Sequence, residues 1–353
     1  MLTNAFRGSH SLYRRYQALL ESTATAAGFA LLVVLSLRSV AIYPENWGVV
    51  IGIAIGILAV RWPLIAYLLA VGVMAYPVFT VNLYLAVIFI AIAALGHRLF
   101  AHFLGATTLV LATPWLAQYH LHWLVPVLGG LWWGGLTGMW VGGLAAIWGK
   151  LVGGMAGLDV DAVLVAGQTP GIQLIAERFG AANSLDTLLL LIEPFATNSS
   201  MMLYNLLQIV GWAAAGAFVG IFSTHRWVKY HVPWSIMVIT AGGGLILLAT
   251  HLWLPYWLQE TSPSILAIDP TAPLFSLVTV IIVGTSVYSI RESLDLPVAP
   301  KRRWWSRRPE SRTMPSFKFF GRRAQAMAHS SASAGLSEAD IDHTRRPVRV
   351  PSL

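Results

Sequence analysis

Residues 124–149 run LVPVLGGLWWGGLTGMWVGGLAAIWG, 26 positions without a charged side chain, closed by Lys150. A helix rising about 1.5 Å per residue crosses a hydrocarbon core of about 30 Å with some 20 apolar residues, so this run is long enough to cross with tilt to spare. Glycines recur at Gly130, Gly134, Gly138 and Gly142. A spacing of four keeps them on one face of a helix. In water each interior glycine would weaken that helix by about 1 kcal/mol relative to alanine. In lipid the same face lets two helix backbones approach closely. These four are read as helix-packing residues, with a solute resting on the smooth glycine face as the alternative.

The rest of the chain agrees with a membrane setting. It has 353 residues, 56% hydrophobic and only 11% charged, against about 25% charged in soluble domains. Cysteine is absent, which excludes disulfides, thiolate metal sites and cysteine nucleophiles. The first apolar stretch, 24–43, follows a polar, basic segment and has no small-residue cleavage site, so it is read as a retained first span. The fold class expected is all-α: a polytopic integral membrane helical bundle. Three parts follow: a basic cytoplasmic segment over 1–23, a transmembrane domain over 24–294, and a basic, largely disordered cytoplasmic tail over 295–353.

Spans are expected at 24–43, 47–60, 62–79, 81–95, 100–117 and 124–149, then at 201–222, 232–254 and 272–290. Residues 152–203 are harder to place. Asp159, Asp161, Glu177 and Arg178 make this region too polar for a simple span. Thr169-Pro170-Gly171 interrupts it, as Pro and Gly do, so it is read as amphipathic or re-entrant. The apolar piece 185–196 within it supplies a short or broken crossing.

Charge placement sets the orientation, because cationic loops favour the cytoplasmic side. Arg7, Arg14 and Arg15 place the N-terminus inside, and Arg61, Arg98, Lys150, Arg226 and Lys229 follow. Keeping Lys150 and Arg226 on one side demands two crossings between them, which gives ten crossings with both termini in the cytoplasm of a cell inner membrane. Eight or nine full spans plus a re-entrant piece is the alternative. The net charge of +8 is concentrated at the ends, with 13 basic residues from Arg291 onward. In the tail, Arg302, Arg303, Trp304, Trp305, Arg307 and Arg308 suit anionic headgroups, with the tryptophans at the interface, or a partner protein. Nucleic acid is not an expected partner, since no recognition helix or aromatic platform accompanies the charge.

Few residues bear chemistry. Glu193 lies in LLLLIEPFATN directly before Pro194. A carboxylate in hydrocarbon needs a partner, a cavity or a proton, so Glu193 is a candidate for a proton- or cation-linked role; at a helix end touching water it would have none. Asn205 and Gln208 are three apart in the next span, so they share a face that lines a polar cavity or bonds a neighbouring helix. With Glu193, Asn198 and Tyr204 they make the densest polar group near a membrane boundary. Pro194 leaves a nearby carbonyl unpaired, as broken helices do at transport sites. Glu193, Asn198, Tyr204, Asn205 and Gln208 are therefore the candidate solute-binding residues.

Among the ten histidines no pair has metal-site spacing: His97 and His102 are five apart, His120 and His122 two apart, and His251 stands alone. No metal or other cofactor is specifically indicated, although two histidines on separate spans could hold a pigment. Most tryptophans, among them Trp47, Trp62, Trp115, Trp123, Trp227, Trp234, Trp253 and Trp257, are expected in the interfacial belt. No Walker A, Rossmann, HExxH or GxSxG motif occurs, so no catalytic residue is assigned. The short compact spans over 47–222 are similar in texture to the substrate-binding membrane subunits of energy-coupling vitamin and metal uptake systems. They share no motif with them, and the extra flanking spans depart from the usual pattern. Three classes result: a small-solute transport protein or its membrane subunit; a non-catalytic accessory or assembly subunit of a larger membrane complex; and a membrane enzyme or pigment protein. Expected partners are membrane lipids, other membrane or cytoplasmic subunits and a small solute.

Overall fold

Glycine turns a 32-residue apolar stretch back on itself. In the computed structural model Leu124–Met155 (α7) is interrupted at Gly134, where φ is 85° and ψ −179°. That conformation is open almost exclusively to glycine. On an uninterrupted helix residues twelve apart would lie about 18 Å from each other. Here a Cβ placed on Gly129 would be 2.8 Å from a Val141 methyl, and one on Gly138 would be 2.6 Å from the Gly130 Cα. The single straight helix expected over 124–149 is therefore a hairpin of two antiparallel arms, 124–133 and 135–155. The four evenly spaced glycines do not share one helix face: Gly134 makes the turn, and Gly130 and Gly138 face each other across it.

The structure describes residues 2–40, 42–44, 46–158, 161, 163–165, 167–168, 171–225, 228, 232–258 and 271–295, with side chains from Tyr16 onward except at Val232, Pro233, Tyr256 and 292–295. The side chains of Arg7, Arg14 and Arg15, the residues Asp159, Arg226, Trp227 and Lys229, and the whole tail with Arg302, Arg303, Trp304, Trp305, Arg307 and Arg308 lie outside this set. Before the hairpin come α1 (Leu2–Val40), α2 (Trp47–Arg61), α3 (Pro63–Val81), α4 (Leu83–His102), α5 (Leu104–Leu111) and α6 (Thr113–Ala117). After it come α8 (Ile172–Phe179), α9 (Ser184–Ile192) with a 3-10 turn at Glu193–Phe195, and α10 (Ser199–Ser223). The last are α11 (Val232–Leu248), a π turn (Ala249–Trp253), α12 (Leu254–Trp257) and α13 (Thr271–Asp295).

Seven helical stretches among the described residues are long and apolar enough to cross a membrane: Tyr16–Val40, Pro63–Val81, Leu83–His102, Leu124–Met155, Ser199–Ser223, Trp234–Trp253 and Thr271–Arg291. The chain is a multi-pass, all-α membrane protein. The three remaining stretches expected as crossings are shorter pieces: the 15 residues of α2, the broken pair α5–α6, and the 9 residues of α9. Large apolar side chains on the outer faces, such as Leu95, Ile57, Leu136 and Val238, point away from the bundle, as lipid contact requires.

The hairpin organises the ends of the bundle. At the turn, α10 packs so closely that a Cβ on Gly130 would lie 2.8 Å from the Gly220 nitrogen, and Arg291 sits 4.5 Å over the Trp132 ring. Gly105, early in α5, lies beside both Trp133 and Thr25. The start of the α1 span, the start of α5, the end of α10 and the end of α13 therefore share one end. At the opposite end Asn82 caps α4 through Tyr84 N at 2.8 Å and donates to Phe179 O at 2.8 Å and Ala182 O at 2.9 Å, which ties the α3–α4 junction to α8. Gly154 meets Pro194 at this same end. From the level of Lys150, beside Asn205, α10 runs on to Ser223 and Thr224 near the hairpin turn. Lys150 thus lies toward the end opposite Thr224; Arg226, with which it is expected to share a side, lies outside the described residues. Lys150 is no loop cation; it is buried and paired.

Small residues keep these backbones close. A Cβ on Gly138 would meet the Gly216 carbonyl oxygen at 2.6 Å, whereas one on Gly72 of α3 meets nothing within 4 Å. Gly138→Ala and Gly216→Ala are expected to destabilise the protein by about 1–3 kcal/mol or more, because rigid backbone cannot move aside. Gly72→Ala is expected to stay within about 1 kcal/mol of the parent. Thermal melting in mild detergent distinguishes them; equal melting of all three variants contradicts the hairpin packing.

Candidate functional site

Three glycines on the second arm of α7 admit the chain that follows it. Gly149 receives Leu164, Gly153 receives Val163 at 3.0 Å and Gly154 receives Pro194 at 2.7 Å, each measured to a Cβ built on the glycine. The 161–165 turn is thereby pressed against the arm, and Asp161 reaches Lys150 Nζ at 3.3 Å. Both side chains are sealed, at 1% and 2% exposure. Lys150 also donates to Asn205 Oδ1 at 3.0 Å, and its ammonium lies 5.5 Å from the centre of the Tyr204 ring. Tyr204 donates its hydroxyl to Asp161 Oδ2, and the Gln208 amide contacts the same oxygen at 3.1 Å and Tyr204 Oη at 2.6 Å.

The centre extends toward α11. Gly211 lets the Thr250 side chain sit against α10, which brings the π turn close. Pro255 lacks an N–H for the His251 carbonyl, consistent with the local loss of α register. His251 then meets Gln208 through Nδ1 at 3.1 Å and accepts from the Trp212 indole N–H through Nε2 at 2.8 Å. Trp123 stacks on His251 with ring centres 5.7 Å apart, and His122 stacks on Trp212 at 6.1 Å. The Leu164 carbonyl accepts from His122 Nε2 at 2.6 Å and from Trp123 Nε1 at 3.3 Å. A carbonyl only accepts, so the His122 proton is on Nε2. Its Nδ1 is then a buried acceptor without a partner among the described residues, as is Gln208 Oε1 in the stated amide orientation.

Of the sequence candidates, Tyr204, Asn205 and Gln208 converge here. Asn205 also donates to Pro194 O at 3.3 Å and Phe195 O at 3.0 Å, so carbonyls freed at the broken α9 end find a partner. Glu193 does not join them. It is 59% exposed and pairs with Arg178 at 3.2 Å, while Arg178 also holds Gly154 O at 2.7 Å. The carboxylate needing compensation is Asp161. Asn198 caps α10 through Met201 N at 2.6 Å and lies outside the centre. Gly130, Gly134, Gly138 and Gly142 lie on the hairpin, with Gly142 against the Trp212 carbonyl. Trp123, expected in the interfacial belt, is fully buried, whereas Trp47, Trp62, Trp234, Trp253 and Trp257 are exposed. Sequence reasoning missed Lys150, Asp161, His122 and His251. One available signal was a lysine flanked by Gly149, Gly153 and Gly154, a helix face too small to keep other chain segments away. Among the described residues no group of three or more His, Asp or Glu side chains could hold a metal.

A buried pair that loses one member leaves an uncompensated charge, which costs about 3–5 kcal/mol. Lys150→Met and Asp161→Asn are each expected to lower stability by about that amount. The double variant keeps an acceptor for Tyr204 and Gln208 and is expected to recover most of the loss. A double-mutant cycle on melting temperature measures this, and simple additivity of the two losses contradicts the pairing. No family model matches the chain, and no curated protein or solved structure matches it.

Proposed function

We propose that the chain is a small-solute transport protein, or the membrane-embedded subunit of one, with its solute centre at Lys150, Asp161, Tyr204, Asn205, Gln208 and His251. The observation carrying this proposal is the place where the cluster forms. The 118–123 turn, the 161–165 turn and the π turn at 249–253 meet there, against α10 and the second arm of α7. Non-helical backbone at membrane depth is tolerated where protein or a water-filled cavity surrounds it, and broken segments of this kind frame transport sites.

The finer topology belongs to this proposal. Eight crossings comprise the seven long helices and α2. The pair formed by α5–α6 and the arm 124–133 enters from the hairpin-turn end and returns to it; Asp161 and residues 163–165 belong to a re-entrant piece from the opposite end. Both termini then share the side carrying Arg61, Arg98 and Arg291, which the charge rule assigns to the cytoplasm of an inner membrane. The tail and lipid-facing surface meet membrane lipid or partner subunits. Because the chain lacks cysteine, single cysteines test this directly: Thr224→Cys and Ala181→Cys must react from opposite sides of a sealed vesicle, and reaction from the same side overturns the topology.

Closure of the centre favours a second function, a non-catalytic accessory or assembly subunit. Lys150, Asp161, Asn205, Gln208 and His251 are all buried, as a structural lock would be. Native mass spectrometry after mild-detergent extraction separates the two. The transport proposal predicts a small solute retained in fixed ratio and lost, with the fold intact, in Gln208→Leu and Asn205→Ala. Absence of retained solute together with a fixed complement of other membrane subunits contradicts it and favours the accessory role.

A further inference from the structure

His251 fixes a hydrogen that the rest of the centre has to accommodate. The Trp212 indole N–H only donates, and it meets His251 Nε2 at 2.8 Å, so Nε2 presents a lone pair. A neutral imidazole then carries its hydrogen on Nδ1. A second ring proton would set N–H against N–H at Trp212. The Nδ1–H faces the head of the Gln208 amide at 3.1 Å. With the amide nitrogen there, two donors oppose each other; with the oxygen there, the contact is a hydrogen bond. Which end of an amide points inward is decided by its network, and this network divides.

The same amide atom lies 2.6 Å from Tyr204 Oη and 3.1 Å from Asp161 Oδ2. As nitrogen it donates to both, Tyr204 donates to Asp161, and an ionised Asp161 faces Lys150 with its other oxygen. What stays unmet in this orientation is the contact with His251 and the amide oxygen, which has no partner among the described residues. As oxygen it accepts from His251 and from Tyr204, but three oxygens then crowd together. The tyrosine hydroxyl has one hydrogen for two close oxygen–oxygen contacts, so the second hydrogen must come from a protonated Asp161. Each amide orientation therefore goes with one charge state of the carboxyl.

We propose that Asp161 is a proton-binding site whose loading is coupled to reversal of the Gln208 amide. The proton passes from solution to Asp161 Oδ2, which then donates to Tyr204 Oη; Tyr204 donates to the reversed amide, and His251 gains its acceptor. The groups facing Asp161 among the described residues are Lys150 from α7, Tyr204 and Gln208 from α10, and His251 from the π turn through Gln208. Lys150 opposes loading, since loading removes its counter-charge and leaves the centre with one positive charge. His251 favours loading. The site deepens the transport proposal, which it rests on only for its use in coupling solute movement to a proton.

Infrared titration of the full-length protein in lipid nanodiscs tests this. The readout is the carbonyl band of a protonated carboxyl, assigned with isotopically labelled aspartate. The band is expected to grow as pH falls and to be missing from Lys150→Met/Asp161→Asn, which keeps the centre charge-balanced. Gln208→Leu removes the amide donors that hold the ionised form, and the band is expected to move about one pH unit to the alkaline side, a tenfold gain in proton affinity. Gln208→Met serves the same purpose if the leucine variant does not fold. The proposal is overturned if wild type and the double variant give the same aspartate band throughout the pH range of the folded protein. It is also overturned if a folded Gln208 variant titrates like wild type. Solute retention measured on the same preparations keeps the two proposals apart: an Asp161 band without retained solute upholds the proton site and removes the transport role.

Discussion

Backbone-to-backbone contact through glycine is the constraint on which the rest of the structure depends. Lipid tails are as apolar as leucine, so helices in a bilayer associate through close packing and polar contacts instead of hydrophobic expulsion from water. Gly130, Gly138, Gly216 and Gly220 supply that packing where the two arms of α7 meet α10, and no side chain intervenes. Gly134 supplies the one backbone conformation that reverses the chain. Once the hairpin and α10 are locked, Lys150 must face Asn205 and Tyr204, and Trp212 must face the 122–123 turn. The polar centre follows from a packing solution near the opposite end of α10.

That centre is expensive to build and therefore informative. Desolvating two charges costs several kcal/mol per ion after relaxation, and mutual attraction offsets this only when the remaining hydrogen-bonding positions are filled. Lys150 has Asn205 and the face of Tyr204 besides Asp161. Asp161 has Tyr204 and Gln208 besides Lys150. The weak points are the Gln208 amide, asked to serve three neighbours of differing demand, and His122 Nδ1, an acceptor without a partner among the described residues. A centre built only for rigidity would gain from apolar residues at these positions. Its remaining polarity is the ground for the proposed solute and proton chemistry.

Much of this was legible in the sequence, and the rest was hidden for a physical reason. Low charge and long apolar runs identify a helical membrane bundle, because an exposed peptide group cannot be left in hydrocarbon. The spacing of Asn205 and Gln208, with Tyr204 beside them, places three members of the centre on α10. Helical periodicity assumes that an uncharged run with no Pro past its first turn continues straight, and Gly134 breaks that assumption without leaving a mark in hydropathy. The hairpin, the depth of Lys150 and the burial of Trp123 are lost together for that one reason. Glu193 drew attention through its apolar neighbours, but the helix breaks beside it and Arg178 meets it near the surface. Asp161 sits in a segment whose polarity reads as amphipathic or re-entrant, which singles out no residue; only the small faces of Gly149, Gly153 and Gly154 betray how far in it packs.

The reversal of α7 sets a distance between its two arms that can be measured. Paired spin labels at Leu128→Cys and Ile147→Cys in the otherwise cysteine-free chain would stand about 28 Å apart along a continuous helix. In the hairpin the arms lie side by side, at the usual axial spacing of about 8–10 Å, and the labels should be less than about 20 Å apart by pulsed electron paramagnetic resonance in lipid. A single distribution centred near the longer distance would contradict the hairpin, and with it the placement of Lys150 at the polar centre.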